Sequence, residues 1–239
     1  MQTVSGWLSG VPKQGPGSIK RWRRVPHPDG NFHSNPARHC RENNHFSRKQ
    51  LLDFKELLQN RRAIRDFADR TVSTDILKEM VDDAIMAPNA SHKQPWKFVI
   101  VNNRDMMKRI SDDSKKTIIA GIEKNPDSPM KGYLAVLKDE NFNVFYNAPA
   151  LICVVSKIKG PLNGVDCALA ASYLMFSATS RGLGTCWVAQ GAEVRDEGLV
   201  QELGIPEGYR IYAPIIVGYP KSIPPAPERK PVDILQVIT

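Results

Sequence analysis

Three short segments hold the residue types that can grip or steer a reacting group. Arg61, Arg62 and Arg65 stand at i, i+1 and i+4. On a helix, that spacing puts Arg61 and Arg65 on one face with Arg62 beside them. Guanidinium groups bind phosphate bidentately and stay charged at any working pH, so the cluster suits a phosphate. The same spacing also describes a solvated basic helix end favoured by the macrodipole. The second segment runs Pro88-Asn89-Ala90-Ser91-His92-Lys93-Gln94-Pro95-Trp96, with the polar groups of Asn89, Ser91, His92 and Gln94 held between two prolines. Such a stiff polar loop can read the edge of a planar heterocycle, although turn chemistry alone accounts for each residue. The third, Gly182-Leu183-Gly184-Thr185-Cys186-Trp187, is no dinucleotide fingerprint: the third Gly is missing, and a helical pattern precedes it.

Other chemistries find no support. There is no Walker motif, no Ser-His-Asp arrangement and no H-E-x-x-H, and His92 is the only histidine after residue 50. His27, His33, His39 and His45, with Cys40, recur at intervals of six, which matches neither helix nor strand geometry for a shared metal. No metal site is expected. Cys40, Cys153, Cys167 and Cys186 form no C-x-x-C pair and lack disulfide, zinc or iron–sulfur spacing.

The elements that must position these segments follow from periodicity. Ser47 can cap a helix carrying Leu51, Leu52, Phe54, Leu57 and Leu58, which runs into the arginines. Thr74 starts an amphipathic helix that stops at Pro88. A strand is expected at Phe98–Val101 and a helix from about Arg104 to Lys124. Residues 125–147 read as irregular, and a buried strand covers Ala150–Val155. Asp166–Ser180 is apolar nearly all round, as befits a domain centre or an oligomer interface. Short strands near Thr185–Val188 and Ile211–Val217 flank a small helix at Glu193–Leu203, and the proline-rich tail from Tyr219 is extended. This order predicts one α+β domain over residues 50–239.

Composition separates that domain from what precedes it. The chain of 239 residues is 41% hydrophobic and 24% charged, in the ordinary globular range. Its +8 charge is uneven: residues 1–50 hold nine Lys/Arg against Asp29 and Glu42, while the remaining 24 basic and 23 acidic residues nearly cancel. Residues 1–49 are rich in Pro and Gly and lack clear periodicity, so they read as a basic arm. The arm is either mobile or surface-draped, or foreign to the domain. No apolar run suits a bilayer and Met1–Pro12 has no signal-peptide core, so a cytoplasmic location is expected.

Taken in order, the segments resemble the nitroreductase family of flavin-dependent oxidoreductases. The resemblance is carried by Arg61-Arg62-Ala63-Ile64-Arg65-Asp66-Phe67, Ala87-Pro88-Asn89-Ala90, Gln94-Pro95-Trp96-Lys97-Phe98 and Asn147-Ala148-Pro149-Ala150. To these belong Gly182-Leu183-Gly184-Thr185-Cys186-Trp187, Leu203-Gly204-Ile205-Pro206-Glu207-Gly208 and Gly218-Tyr219-Pro220. The likeness spans roughly residues 50–235 and leaves the arm unexplained.

The resemblance implies an α+β fold with a mainly antiparallel central sheet flanked by helices, in an intertwined homodimer with FMN at the subunit interface. Arg61, Arg62, Ala63 and Arg65 would hold FMN. The Pro88–Gln94 loop of the partner subunit would add Pro88, Asn89, Ala90, His92 and Gln94. Trp187, Val188 and Ala189 would lie near the flavin ring, and Arg229 or Lys230 would return to the phosphate. Tyr133, Phe142, Phe145 and Tyr146 would wall a substrate pocket. Electrons would pass from NAD(P)H through flavin N5 to a small oxidised acceptor in a ping-pong cycle, with no protein nucleophile. The family often has Ser where Ala63 and Asn89 stand and Asn where His92 stands, each missing hydroxyl forgoing about 1 kcal/mol. Two readings compete: a flavin-cleaving or dehalogenating member of the superfamily, and nucleic-acid or acidic-partner binding through the arm.

Overall fold

The computed structural model describes residues 53–125 and 127–239. The basic arm assigned to 1–49, with its histidines, Cys40 and the helix cap expected at Ser47, lies outside the described residues. Within them, α1 (Phe54–Asn60) is capped by Asp53, whose carboxylate accepts the Glu56 N–H while the Glu56 side chain accepts the Asp53 N–H. The helix ends at Arg61, and residues 61–68 continue in extended form. Next come α2 (Thr74–Ala84), β1 (Lys97–Val101), α3 (Arg104–Lys124), α4 (Leu134–Lys138) and β2 (Ala150–Lys157). The chain closes with α5 (Asn163–Ser180), β3 (Gly184–Trp187), α6 (Glu197–Glu202), β4 (Tyr209–Gly218) and an extended tail.

The strands form one antiparallel sheet in the order β1-β2-β4-β3, with a bulge between Val154 and Val155. Side chains alternate across a strand, so β2, buried along nearly its whole length, feeds two cores. Ala150, Ile152 and Val154 pack with Ala213, Ile215 and Val217 of β4 against Leu77 and Met80 of α2 and Ala170, Ala171 and Leu174 of α5. Leu151, Cys153 and Val155 face Met107 and Ile110 of α3, Leu137 of α4 and the loop residues Val144 and Phe145. Helices thus cover both faces of an antiparallel sheet, and the fold is of the expected α+β class. Residues 125–147, expected to be irregular, contain α4 and a 3-10 turn at Pro129–Tyr133. The helix expected at Glu193–Leu203 shortens to α6 behind a second 3-10 turn, Ala189–Ala192. No helix among the described residues is long and apolar enough to cross a membrane.

Burial of thiols gives the fold a pH signature. Burial pushes Cys153 up to about 12, and it pushes Cys167 up to about 11 against a hydrogen bond with Ser156 that pulls the other way. Unfolded thiols ionise near 9.0, so the native form holds protons that the unfolded chain releases. That contribution is whole below pH 9 and is lost as pH climbs through 11–12. Chemical denaturation from pH 8 to 11 is expected to show a steeper fall for wild type than for the Cys153→Ala, Cys167→Ala variant. Equal slopes would reject the assignment.

Candidate functional site

The arginine segment is extended rather than helical, and this changes which residues share a side. Ala63 bridges Thr185 of β3, and the Ile64 N–H donates to the Thr185 carbonyl at 2.9 Å. Period-two alternation then sends Ile64 inward and Arg61 and Arg65 outward together. A Cβ on Gly184 would stand 2.6 Å from Ile64 Cγ1, so the segment approaches β3 this closely only because Gly184 lacks one. Both Arg65 and Arg61 pull down the Cys186 thiol, although burial, the larger cause, raises it. Arg62 departs from the sequence expectation. Its Nη1 donates to Gln59 O at 2.6 Å and to Arg61 O at 2.9 Å, and its side chain lines a separate cavity with Ile64, Thr179 and Leu183. It braces the end of α1 instead of joining the other two cations.

At the exit of β3 lies a cavity of about 250 Å³ lined by Arg65, Met130, Tyr133, Tyr146, Cys186, Trp187, Val188, Ala189 and Gln190. Trp187 is 37% exposed here, unusual for so large an apolar side chain at a strand end. The Arg65 guanidinium stands 5.7 Å above the Tyr146 ring, within cation–π range. No carboxylate lines the cavity, and no Ser or His nucleophile either.

The wall carrying Tyr146 is fixed from behind. The Lys115 ammonium, buried on α3, donates to the carbonyls of Asp139 and Phe142 at 3.1 and 2.8 Å. Ser111 Oγ accepts the Val144 N–H at 3.0 Å. Tyr146 and Asn147 both adopt φ of 53°, a left-handed conformation uncommon outside glycine. Phe142 packs edge-on to Tyr146 at 6.1 Å and supports it without lining the cavity. Phe145, expected at the pocket wall, lies in the core with none of its surface exposed. The turn carries Val144 and Phe145 together into the core, and the left-handed backbone at Tyr146 then directs that ring to the cavity.

The Pro88–Gln94 loop is equally constrained but lies elsewhere on the chain. Asn89 Oδ1 accepts the Gln94 N–H at 2.8 Å, Ser156 Oγ donates to Pro95 O at 2.8 Å, and Gln94 Nε2 meets His92 Nε2 at 3.0 Å. Ala90 and Gln94 line a second cavity of about 490 Å³ together with Lys93, Lys97, Lys157, Lys159 and Tyr209. Pro88, Asn89 and His92 line neither cavity, and neither cavity holds both loop and arginine segment. Arg229 and Lys230 lie exposed in the extended tail, away from the lining of either.

Sequence reasoning passed over Met130, Cys186, Gln190 and the buried Lys115. Cys186 and Gln190 flank the Trp187–Ala189 run, and that adjacency is the signal that could have found them. Lys115 carried no signal, because a lysine in an amphipathic helix reads as solvated.

The donor set suits a planar aromatic anion such as FMN. Trp187, Tyr133, Tyr146, Val188 and Met130 offer flat or apolar surface, Arg61 and Arg65 offer two permanent cations, and acids are absent from the lining. At about 250 Å³ the cavity is smaller than the roughly 300–1,000 Å³ usual for enclosed ligand sites.

Comparison with known proteins finds a family and a fold. Residues 58–219 match the model of the Nitroreductase family. A protein of Methanothermobacter thermautotrophicus, named as a candidate NADH dehydrogenase/NAD(P)H nitroreductase, is 30% identical over 179 residues, covering 72% of this chain and 80% of that one. Human iodotyrosine deiodinase 1 is 24% identical over 214 residues, covering 81% of this chain and 72% of that one. Among solved structures, a nitroreductase with bound FMN from Bacteroides fragilis superposes with a TM-score of 0.64 at 24% identity, covering 77% of this chain and 97% of that one.

Proposed function

The chain belongs to the nitroreductase family, and from that premise we propose that it is an FMN-dependent oxidoreductase. It would carry electrons from NAD(P)H to a small oxidised acceptor such as a nitroaromatic or quinone. The observation that carries this reading is the pocket at the exit of β3, where Arg65 and aromatic side chains meet without a carboxylate, serine or histidine, and the one thiol, Cys186, is held protonated by burial. Such a lining offers a flavin flat apolar surface beside a permanent cation.

The chemistry FMN supplies when bound is acceptance of hydride at N5 and release of electrons to a second substrate. The chain's own part is binding and orientation. Arg61 and Arg65 take the anionic phosphate or the electron-rich edge of the ring. Trp187, Val188 and Ala189 set the depth to which the ring enters. Tyr133 and Tyr146 would wall the part of the pocket that donor and acceptor occupy in turn, as a ping-pong cycle requires. The missing side of the site comes from a second copy, whose Asn89–Gln94 loop closes it. An exposed apolar stripe on α5 supports that homodimer: Val165, Leu169 and Tyr173, one turn apart, are 56%, 37% and 42% exposed.

A second reading keeps the cofactor and changes the acceptor. The likeness to iodotyrosine deiodinase extends over most of the chain, which favours testing a halogenated phenol as oxidant.

Purified protein is expected to show flavin absorption that bleaches under anaerobic NADH or NADPH and returns with a nitroaromatic or quinone. Return with 3-iodotyrosine alone would select the second reading. A colourless protein that takes up no added FMN would overturn both.

A further inference from the structure

A buried carboxylate behind the Asn89–Gln94 loop has no part in the reading above. Asp166 stands in the first turn of α5 and is 4% exposed. Its Oδ1 accepts the Ala90 N–H at 3.1 Å, across 76 positions of sequence. A buried carboxylate costs several kcal/mol unless its charge is compensated. Here the positive end of an 18-residue helix and the Ala90 N–H supply compensation, and Lys93, Lys97, Lys157 and Lys159 line the same cavity. The helix is capped by Leu162, which has no side-chain acceptor, yet Asp166 turns its oxygen to the loop rather than to its own helix.

The loop requires holding. Ser91, His92 and Gln94 have φ of 51°, 54° and 44°, left-handed values that cost of order 1–3 kcal/mol each and persist only when the surroundings over-determine them. Asn89 ties the loop to itself and Ser156 fixes its exit. The Asp166 bond fixes its entry to the central helix.

We propose that Asp166 is a positioning residue, its carboxylate presetting the Asn89–Gln94 loop so that the loop's polar groups meet FMN without rearrangement. The proposal rests on the FMN reading, and its test separates the two. Hydrogen exchange over Ser91–Gln94 is measured in the full chain stripped of flavin, for wild type, Asp166→Ala, Asp166→Asn and Ala90→Pro. The FMN Kd of each then follows from quenching of flavin fluorescence. Asn keeps an acceptor. Pro deletes the donor where Asn89 is already extended at φ −152°, ψ 158°, the conformation a residue before proline prefers.

In Asp166→Ala and Ala90→Pro, loop exchange is expected to rise and Kd to increase about tenfold, the loss of one charge-assisted hydrogen bond. Asp166→Asn should stay within about threefold of wild type, and exchange in the β2 and β4 amides should not change in any variant. Unchanged loop exchange in Asp166→Ala, or equal impairment in Asp166→Asn, overturns the proposal. Should Asp166→Ala not fold, Ala90→Pro decides alone by the same criteria. A wild type that binds no FMN defeats the FMN reading, while exchange in the flavin-free protein still decides whether Asp166 holds the loop.

Discussion

Replacing Arg61 and Arg65 together by alanine is expected to weaken FMN binding by roughly 10²–10⁴-fold. Each guanidinium makes charge-assisted bonds of about 1.5–3 kcal/mol to an anionic ligand, and about 1.4 kcal/mol is tenfold in Kd. Both side chains project from the extended segment held by Ala63 and Ile64 against β3, so removing them leaves that backbone pairing in place. Arg62→Ala is the contrasting case. Its guanidinium serves the carbonyls of Gln59 and Arg61, so it should lower the melting temperature by a few degrees and leave Kd nearly unchanged. Titration of flavin-free protein, followed by flavin fluorescence, separates the two. If Arg62→Ala costs as much affinity as the double variant, the alternation that divides the three arginines is wrong.

The second large effect concerns stability. Phe145→Ala is expected to destabilise the fold by about 3–5 kcal/mol, the usual cost of deleting a fully buried aromatic ring. For a domain of this size that is a fall of roughly 6–20 °C in melting temperature. The ring is packed so closely that a Cβ on Gly191 would lie 2.3 Å from its Cε1, leaving little room for neighbours to collapse into the void. Tyr133→Ala makes the control. Tyr133 is 53% exposed and lines the cavity, so its loss should alter KM for the acceptor with little change in melting. Denaturant unfolding of the two variants decides the matter, and a Phe145→Ala protein as stable as wild type would return that residue to the pocket wall.

These two cases also mark where sequence reasoning stopped. In both, the direction a side chain takes depends on the local backbone. Three arginines at i, i+1 and i+4 look like one patch on a helix, but α1 ends at Arg61 and the next residues pair with β3. The end of that helix is set by a contact with a strand more than 120 positions away, which local propensity does not contain. Phe142, Phe145 and Tyr146 share a composition but not an environment. Lys115 and Ser111 bend their loop, and the bend selects which ring faces the cavity.

What the sequence by itself determined is the content of the layers and the identity of the parts. Long periodic runs such as Arg104–Lys124 and Asp166–Ser180, and the apolar run at Ala150–Val155, state their structure in the sequence because the spacing of their apolar residues fits one secondary structure. Ordered short motifs were enough to place the family. Only the tertiary structure decided which of those motifs meet. It separated Arg62 from Arg61 and Arg65, set the arginine segment and the Asn89–Gln94 loop on different cavities, and brought Asp166 under a loop 76 residues earlier. Such meetings depend on strand order and on hydrogen bonds between distant segments, and side-chain alternation near a chain bend reverses with a single residue's shift in register.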